Sequence, residues 1–449
     1  MTVPPSRRLL PELAALDAAD GVRIPPGVTV PLTPRVRAIL DTAEMRRLAG
    51  VSQLGLVALV YPGAAHSRLE HALGAFRLAV EFLARLEHDD RFAATIDPED
   101  AATFVVAALL HDIGHWPYCH PIEDMGLPEL PRHEQLVAGI LADGELGGLL
   151  RSDWGLAPER IAAVIRGTAT DPAGRVVHSL LSGPIDVDKM DYLARDSLHA
   201  GVPYGRHFDQ ERLLSSLCLD ESGTALAITG KGRTAAELMV FARYVMFSEV
   251  YWHHAVRAAT AMLQRGLWLI RDRIDPARLT GFQDHEFVSW FRGATAGTPA
   301  ARLADGLFGS RRLLFKRAAT FDAMHHPAVH RACAGRTCAG TVAIAARLAA
   351  ILEPRLGIRV DPAMLLIDAP PADREVEFRI QVRERPGPAN AGGVPTWRRL
   401  DELSPVVRSL AREQFDDLVK RVRIFAAPDL ARTVGGCAGL EGLVLEAAG

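Results

Sequence analysis

Residues 101–120 read Ala101-Ala-Thr-Phe-Val-Val-Ala-Ala-Leu-Leu110-His111-Asp112-Ile-Gly114-His115-Trp-Pro-Tyr-Cys119-His120. Ten residues, apolar apart from Thr103, run straight into a histidine and an aspartate. The run is about half the ~20 residues a membrane span needs, so it reads as a buried helix. Gly114 can stop that helix. An ionisable pair at the tip of a buried helix is costly unless something pairs with it. A divalent cation is the natural partner. Imidazole nitrogens and carboxylate oxygens suit Mg, Mn, Fe or Zn without selecting sharply among them.

Working outward, seven of the 16 histidines fall between positions 66 and 133: His66, His71, His88, His111, His115, His120 and His133. An even spread would put about two or three there, so the cluster asks for a shared cause such as a metal site. Adjacent residues diverge by about 100° on a helix, so His111 and Asp112 can meet one ion only at the helix end. Further ligands must come from other helices. His71 is one candidate, on a helix that Ser67 opens and that carries Leu69, Leu73, Phe76, Val80 and Leu83 on one face. Asp188 is another. Asp188, Tyr192 and Asp196 stack at i, i+4 and i+8, with Lys189 at the edge of that face. This suits either a phosphate-binding surface or a solvated, salt-bridged helix.

Helical periodicity dominates from Pro34 onward. Asp41 or Thr42 can cap a helix bearing Met45, Leu48 and Val51, and the spacing predicts further helices over about 132–142, 157–167, 186–199 and 234–272. Leu217, Leu219, Leu226 and Ile228 alternate around Asp220–Gly223, which reads as a hairpin. Val376, Phe378, Ile380 and Val382 alternate as one strand, and Val422 with Ile424 suggests another. Pro386–Pro395 reads as a loop, followed by a short helix near Pro405–Leu418. The expected fold is therefore mainly α, with a helical core, a small β-hairpin and a mixed α/β C-terminal region. The expected division is 1–33 irregular, 34–272 helical and 273–449 mixed.

The 449 residues carry 51 basic and 54 acidic side chains, a formal charge of −3, which excludes a globally basic nucleic-acid coat. The arginines have no aromatic interleaving, which also argues against nucleic acid as a partner. Five scattered cysteines, an odd number, do not make a disulfide framework. Met1–Leu10 lacks the order of a signal peptide, and the cytoplasm is the expected compartment, with no membrane partner. Only Lys189, Lys231, Lys316 and Lys420 are lysines; all other basic residues are Arg. Lysine and arginine are not interchangeable, so Lys189, beside a candidate ligand, draws notice.

Three ordered blocks now carry a resemblance: Ser52–Gly55 through His66-Ser-Arg-Leu-Glu-His71-Ala-Leu-Gly74; Leu110–His120 followed by His133-Glu-Gln135; and Ile185-Asp-Val-Asp188-Lys-Met-Asp-Tyr-Leu-Ala-Arg-Asp196. A weaker block is Arg243–His254. His71, His111-Asp112 and Asp188 match the signature of HD-domain phosphohydrolases. The chain most resembles deoxynucleoside triphosphate triphosphohydrolases of the SAM-and-HD-domain type and their bacterial relatives. The resemblance implies that His71, His111, Asp112 and Asp188 hold a divalent metal. His115, His120 and His133 would be catalytic, with His120 and His133 favoured for acid/base work. Arg68, Lys189, Tyr192 and Arg243 would contact the phosphates. Asp196, Tyr251, Gln53 and Leu54 would meet the sugar. The implied reaction cleaves a dNTP between the 5′ oxygen and the α-phosphorus, releasing deoxynucleoside and inorganic triphosphate. A homo-oligomer and a regulatory nucleotide are implied partners.

The chain departs from the family at Arg46 and Ala49, where Gln and Arg are typical of a guanine-nucleotide regulatory site, and at Phe247, where His occurs. Two other readings compete. One is an HD phosphohydrolase for another phosphoester, such as a nucleoside monophosphate or cyclic nucleotide. The other is a non-catalytic nucleotide- or single-strand-binding module. A second set, His325, His326, His330, Cys333 and Cys338, has zinc-type ligands, but its spacings match no common zinc pattern, and ordinary helix-end residues are the favoured reading. His253 and His254 read as core or interface histidines.

Overall fold

Three helices frame the molecule, and each is started by its own local chemistry. Helix Arg68–Leu86 begins where Ser67 Oγ accepts the Glu70 amide at 3.3 Å. Helix Pro98–Leu110 begins with a reciprocal Asp97–Asp100 capping box and a proline in its first turn, and every residue of Ala101–Leu110 is buried. Helix Val187–Ala200 is capped by Asp186, which accepts the Lys189 amide at 2.6 Å, and ends at Gly201 with φ 70°. The first of these helices packs against both others. His71, His111 and Asp188 are thereby brought from three separate segments to one place.

The computed structural model describes residues 10–16, 21–371, 379–385, 393–410 and 418–449. Of the sequence expectations, Val376 and Phe378, loop residues 386–392 and helix residues 411–417 lie outside the described residues. The described part of the expected C-terminal helix spans Pro405–Ser409.

The helix expected over 234–272 is divided. Helix Arg233–Met246 passes into a π-helical turn, Phe247–Tyr251, and helix His254–Leu269 follows. The wider turn carries the Tyr251 hydroxyl to 2.6 Å from Asp196 Oδ2, a contact that regular winding does not require. Such turns are often found at functional sites.

The hairpin pairs Leu217–Leu219 with Leu226–Thr229. Asp220 shapes its turn by accepting the Thr224 and Ala225 amides at 2.9 and 3.2 Å. Strand Gln381–Glu384 then joins Leu226–Thr229 in parallel, and Thr396–Arg399 extends the sheet to four strands. A segment from beyond residue 272 thus completes a sheet begun before it. A second sheet places Val422–Ala426 between Lys316–Phe321 and Leu365–Asp368, all antiparallel. The architecture is mainly helical with a mixed α/β C-terminal region. Among the described residues no helix is long and apolar enough to cross a membrane.

Candidate active site

His71 and His111 face each other through their Nε2 atoms at 3.1 Å. His71 Nε2 is also 3.1 Å from Asp188 Oδ1, and His111 Nε2 lies 3.6 Å from the same oxygen. The other ring nitrogens are committed elsewhere. His71 Nδ1 lies 2.8 Å from Asp191 Oδ2, and His111 Nδ1 lies 2.8 Å from the Ala108 carbonyl. Both acceptors require a proton on Nδ1, which leaves both Nε2 lone pairs aimed at each other. With both rings neutral these lone pairs repel unless a cation lies between them; without a metal ion, a proton on His71 Nε2 directed at Asp188 meets the same need. Ligand atoms sharing one ion at about 2.1 Å lie roughly 3.0–3.4 Å apart, close to the spacing seen here. His71, His111 and Asp188 therefore fit a divalent metal in both donor chemistry and spacing.

Asp112 stands at the edge of this group. Its Oδ1 is 3.5 Å from His111 Nε2, while Oδ2 accepts from Arg68 Nη1 at 2.7 Å. Burial would raise its pKa, but the Arg68 guanidinium beside it holds it well below the usual carboxylate range. Burial alone would lower His71; hydrogen bonds to Asp188 and Asp191 reverse this and raise it to about 10. The surrounding carboxylates thus favour positive charge at this point.

A second group sits beside the first. Nitrogens of His115, His120 and His133 converge, with His115 Nε2 3.4 Å from His120 Nε2. The His115 and His133 rings lie 3.7 Å apart between centroids, tilted by 34°. His115 Nδ1 is 3.1 Å from Asp112 Oδ1 but out of line for a hydrogen bond. Burial lowers the His115 pKa, and Arg68 lowers it further, so this ring is held neutral. His120, by contrast, is largely exposed.

A cleft of about 430 Å³ lies beside these two groups; His120 lines it directly, and the ligand group is linked to it through Arg68, which lines the cleft and donates to Asp112. Gln53, Leu54, Arg68, Tyr192, Asp196 and Tyr251 all line it, with His120. Asp196 is held twice, by His66 Nε2 at 2.9 Å and by the Tyr251 hydroxyl at 2.6 Å. Lys189 is near the ligands, but its Nζ donates to Asp186 Oδ2 at 2.7 Å. Burial pushes the Tyr192 phenol up to about 12, opposed by the charges of Arg243 and Lys189. The C-terminal region reaches the cleft as well. The Asp284 amide donates to the Gly50 carbonyl, and Asp284 Oδ2 accepts the Ser52 amide at 3.2 Å. This pins the loop that carries Gln53 and Leu54.

Sequence reasoning missed the supports. Asp191 accepts from Arg195 Nε and Nη2 at 2.8 and 2.7 Å, and Arg195 Nη1 reaches Glu70 at 2.7 Å. Glu123 accepts from the His133 amide at 2.6 Å and from its Nδ1 at 3.0 Å, and lies 3.7 Å from His120 Nδ1. The signals were present: Asp191 follows Asp188 by three residues and precedes Arg195 by four, and Glu123 follows His120 by three. The second candidate set does not converge. His325 pairs with Asp322 at 2.9 Å, His330 with the Lys420 carbonyl at 3.1 Å, and Cys333 is packed in an apolar core. His253 is half-buried and His254 exposed, their rings 4.3 Å apart and tilted by 40°, and burial lowers His254 to about 4.

The family model for the HD domain matches residues 68–196, and that for the HD-associated region matches 208–446, more than half of the chain. The chain belongs to the HD-domain family. Its HD domain thus contains all four expected metal ligands, and the HD-associated region contains Arg243, Tyr251 and Asp284. Among curated proteins, it is 34% identical to the uncharacterized protein YwfO of Bacillus subtilis over 258 residues, covering 57% of this chain and 56% of that one. It is 28% identical to the deoxynucleoside triphosphate triphosphohydrolase SAMHD1 of Gallus gallus over 255 residues, covering 50% and 41%. The chain spans about half the length of the curated relatives it matches. Its fold resembles the crystal structure of a hypothetical protein from Aquifex aeolicus, with TM-score 0.69 and 23% identity over 92% of this chain and 99% of that one.

Proposed function

We propose that this HD-domain protein is a metal-dependent phosphohydrolase that cleaves deoxynucleoside triphosphates to deoxynucleoside and inorganic triphosphate. The observation that carries the reading is the paired Nε2 atoms of His71 and His111, closed by Asp188 and joined through Asp112 to Arg68, which lines the neighbouring cleft with His120. The similarity to SAMHD1, a deoxynucleoside triphosphate triphosphohydrolase, supports the choice of substrate. A divalent ion, when bound, would polarise the α-phosphoryl oxygen and lower the pKa of a coordinated water.

The chain's own residues then have distinct tasks. Arg68, Lys189, Tyr192 and Arg243 hold the phosphates, since a triphosphate with about four negative charges needs fixed donors. Water oxygen forms a bond to the α-phosphorus, and the bond to the 5′ oxygen breaks. His120 or His133 delivers a proton to the departing 5′ oxygen, help that is typically worth about 10²–10⁴-fold. Glu123, hydrogen-bonded to His133 and close to His120, fixes the position of the two rings. The hydrogen bonds from His66 and Tyr251 fix Asp196 for the sugar hydroxyl. Gln53 and Leu54 close the same end. Homo-oligomerisation belongs to this reading, and the exposed Leu238 and Phe241 on helix Arg233–Met246 offer an apolar face for it.

Purified protein incubated with each dNTP and Mg²⁺ or Mn²⁺ is expected to release deoxynucleoside and free triphosphate. Orthophosphate or a monophosphate as the first product would point to another phosphoester reaction. Asp112→Ala is expected to abolish turnover; a biological effect that survives this change would favour a binding module.

A further inference from the structure

The cleft holds one carboxylate that the proposed reaction leaves without a task. Asp124 terminates the short helix Cys119–Glu123, four residues after His120. It lines the cleft together with Trp252, Val256, Arg257 and Thr260. Among the described residues, neither a side-chain hydrogen bond nor an ion pair engages its oxygens. The charged groups that act on it are Arg257, His120, Glu123 and Asp368, none of them a proposed metal ligand. Arg257 is committed elsewhere. It donates to Asp368 at 2.6 Å through Nη2, and its guanidinium lies 4.3 Å above the Trp252 ring. Asp124 is exposed to the solvent of the cleft, so its two oxygens are open to a ligand that brings donors.

Charge also orients the ligand. Asp124 repels phosphates, whereas Arg68 and Lys189 attract them. A nucleotide with its phosphates beside the metal ligands would therefore present another part to Asp124. Two carboxylate oxygens match two adjacent donors. Guanine, through N1–H and its 2-amino group, is the DNA base whose pairing edge offers such a pair. Adenine and cytosine place one donor beside an acceptor, and thymine flanks its donor with two carbonyls. We propose that Asp124 reads the base of the substrate and selects guanine, an inference that rests on the dNTP reading above.

The test measures kcat/KM for the four dNTPs with the full-length protein, and their equilibrium binding with EDTA present to stop turnover. Wild type is expected to favour dGTP roughly 10- to 100-fold, the range of one charged hydrogen bond. Asp124→Ala is expected to level the four substrates. Asp124→Asn offers one donor and one acceptor, and is expected to move the preference from guanine toward adenine. A merely structural role would not produce that exchange. Equal use of all four dNTPs by wild type, or a guanine preference that survives Asp124→Ala, would overturn the proposal. Selective dGTP binding without hydrolysis would support base reading and sink the assigned reaction. Failure to bind any dNTP, together with no turnover of any of the four by the metal-loaded protein, would overturn both.

Discussion

Asp191 Oδ2 accepts a hydrogen bond from His71 Nδ1 at 2.8 Å, so a residue outside the ligand cluster sets the direction of the ring inside it. Arg195 grips the same carboxylate through two nitrogens and is held in turn by Glu70. Such partners of ligating histidines typically contribute about 10–100-fold to metal affinity. Asp191→Ala is expected to weaken divalent-metal binding by that factor, read by competition with a chelator. Asp191→Asn can still accept from Nδ1 and should recover part of the loss. Unchanged affinity in a folded Asp191→Ala protein would mean that His71 needs no such support.

Gly74 makes room for this arrangement. A Cβ at position 74 would overlap Asp191 Oδ1 and Arg195 Nη2. Alanine is otherwise the better helix former by about 1 kcal/mol, so propensity alone would make Gly74→Ala stabilising. The expected outcome is the reverse: lower metal affinity, in the manner of Asp191→Ala, together with a lower Tm. A raised Tm with intact metal binding would show that the helices separate without cost.

Lys189 is held by Asp186 at 2.7 Å and is mostly buried. Arginine keeps the charge but brings a wide planar fork into a space fitted to a compact ammonium. Lys189→Arg is expected to lower kcat on the order of tenfold, less than the about 10²–10³-fold typical of removing a donor outright. Steady-state kinetics with a dNTP would check it, and wild-type values would remove Lys189 from phosphate binding.

Asp368 is buried against two arginines. Arg257 reaches it at 2.6 Å and Arg423 at 3.7 Å. Removing one member of a buried ion pair typically costs about 3–5 kcal/mol, because the partner charge is stranded. Asp368→Ala is expected to destabilise the fold by that amount in denaturant titration. A change under about 1 kcal/mol would show that water reaches both arginines on truncation.

What could be read from the sequence follows from where the physical information lies. His111 and Asp112 were legible because an apolar run ends on them. The start of helix Val187–Ala200 was legible because Asp186 caps the amide three residues on. The hairpin was legible from alternation and a local turn. The π-helical turn at Phe247–Tyr251 was not, since Phe247, Val250 and Tyr251 continue an apolar pattern and the determining contact is with Asp196, 55 residues away. The pairing of Gln381–Glu384 with Leu226–Thr229 was hidden for the same reason. Its partner lies across most of the HD-associated region. Asp191 escaped because His71, the side chain that gives it a task, is 120 residues distant.

The most direct measurement is hydrolysis of dGTP in water enriched in oxygen-18, with all products resolved by mass. Attack at the α-phosphorus places the new oxygen on that phosphorus. The expected result is inorganic triphosphate carrying one label and unlabelled deoxyguanosine. Label in the deoxyguanosine, or orthophosphate or pyrophosphate as the first product, would contradict the assigned reaction.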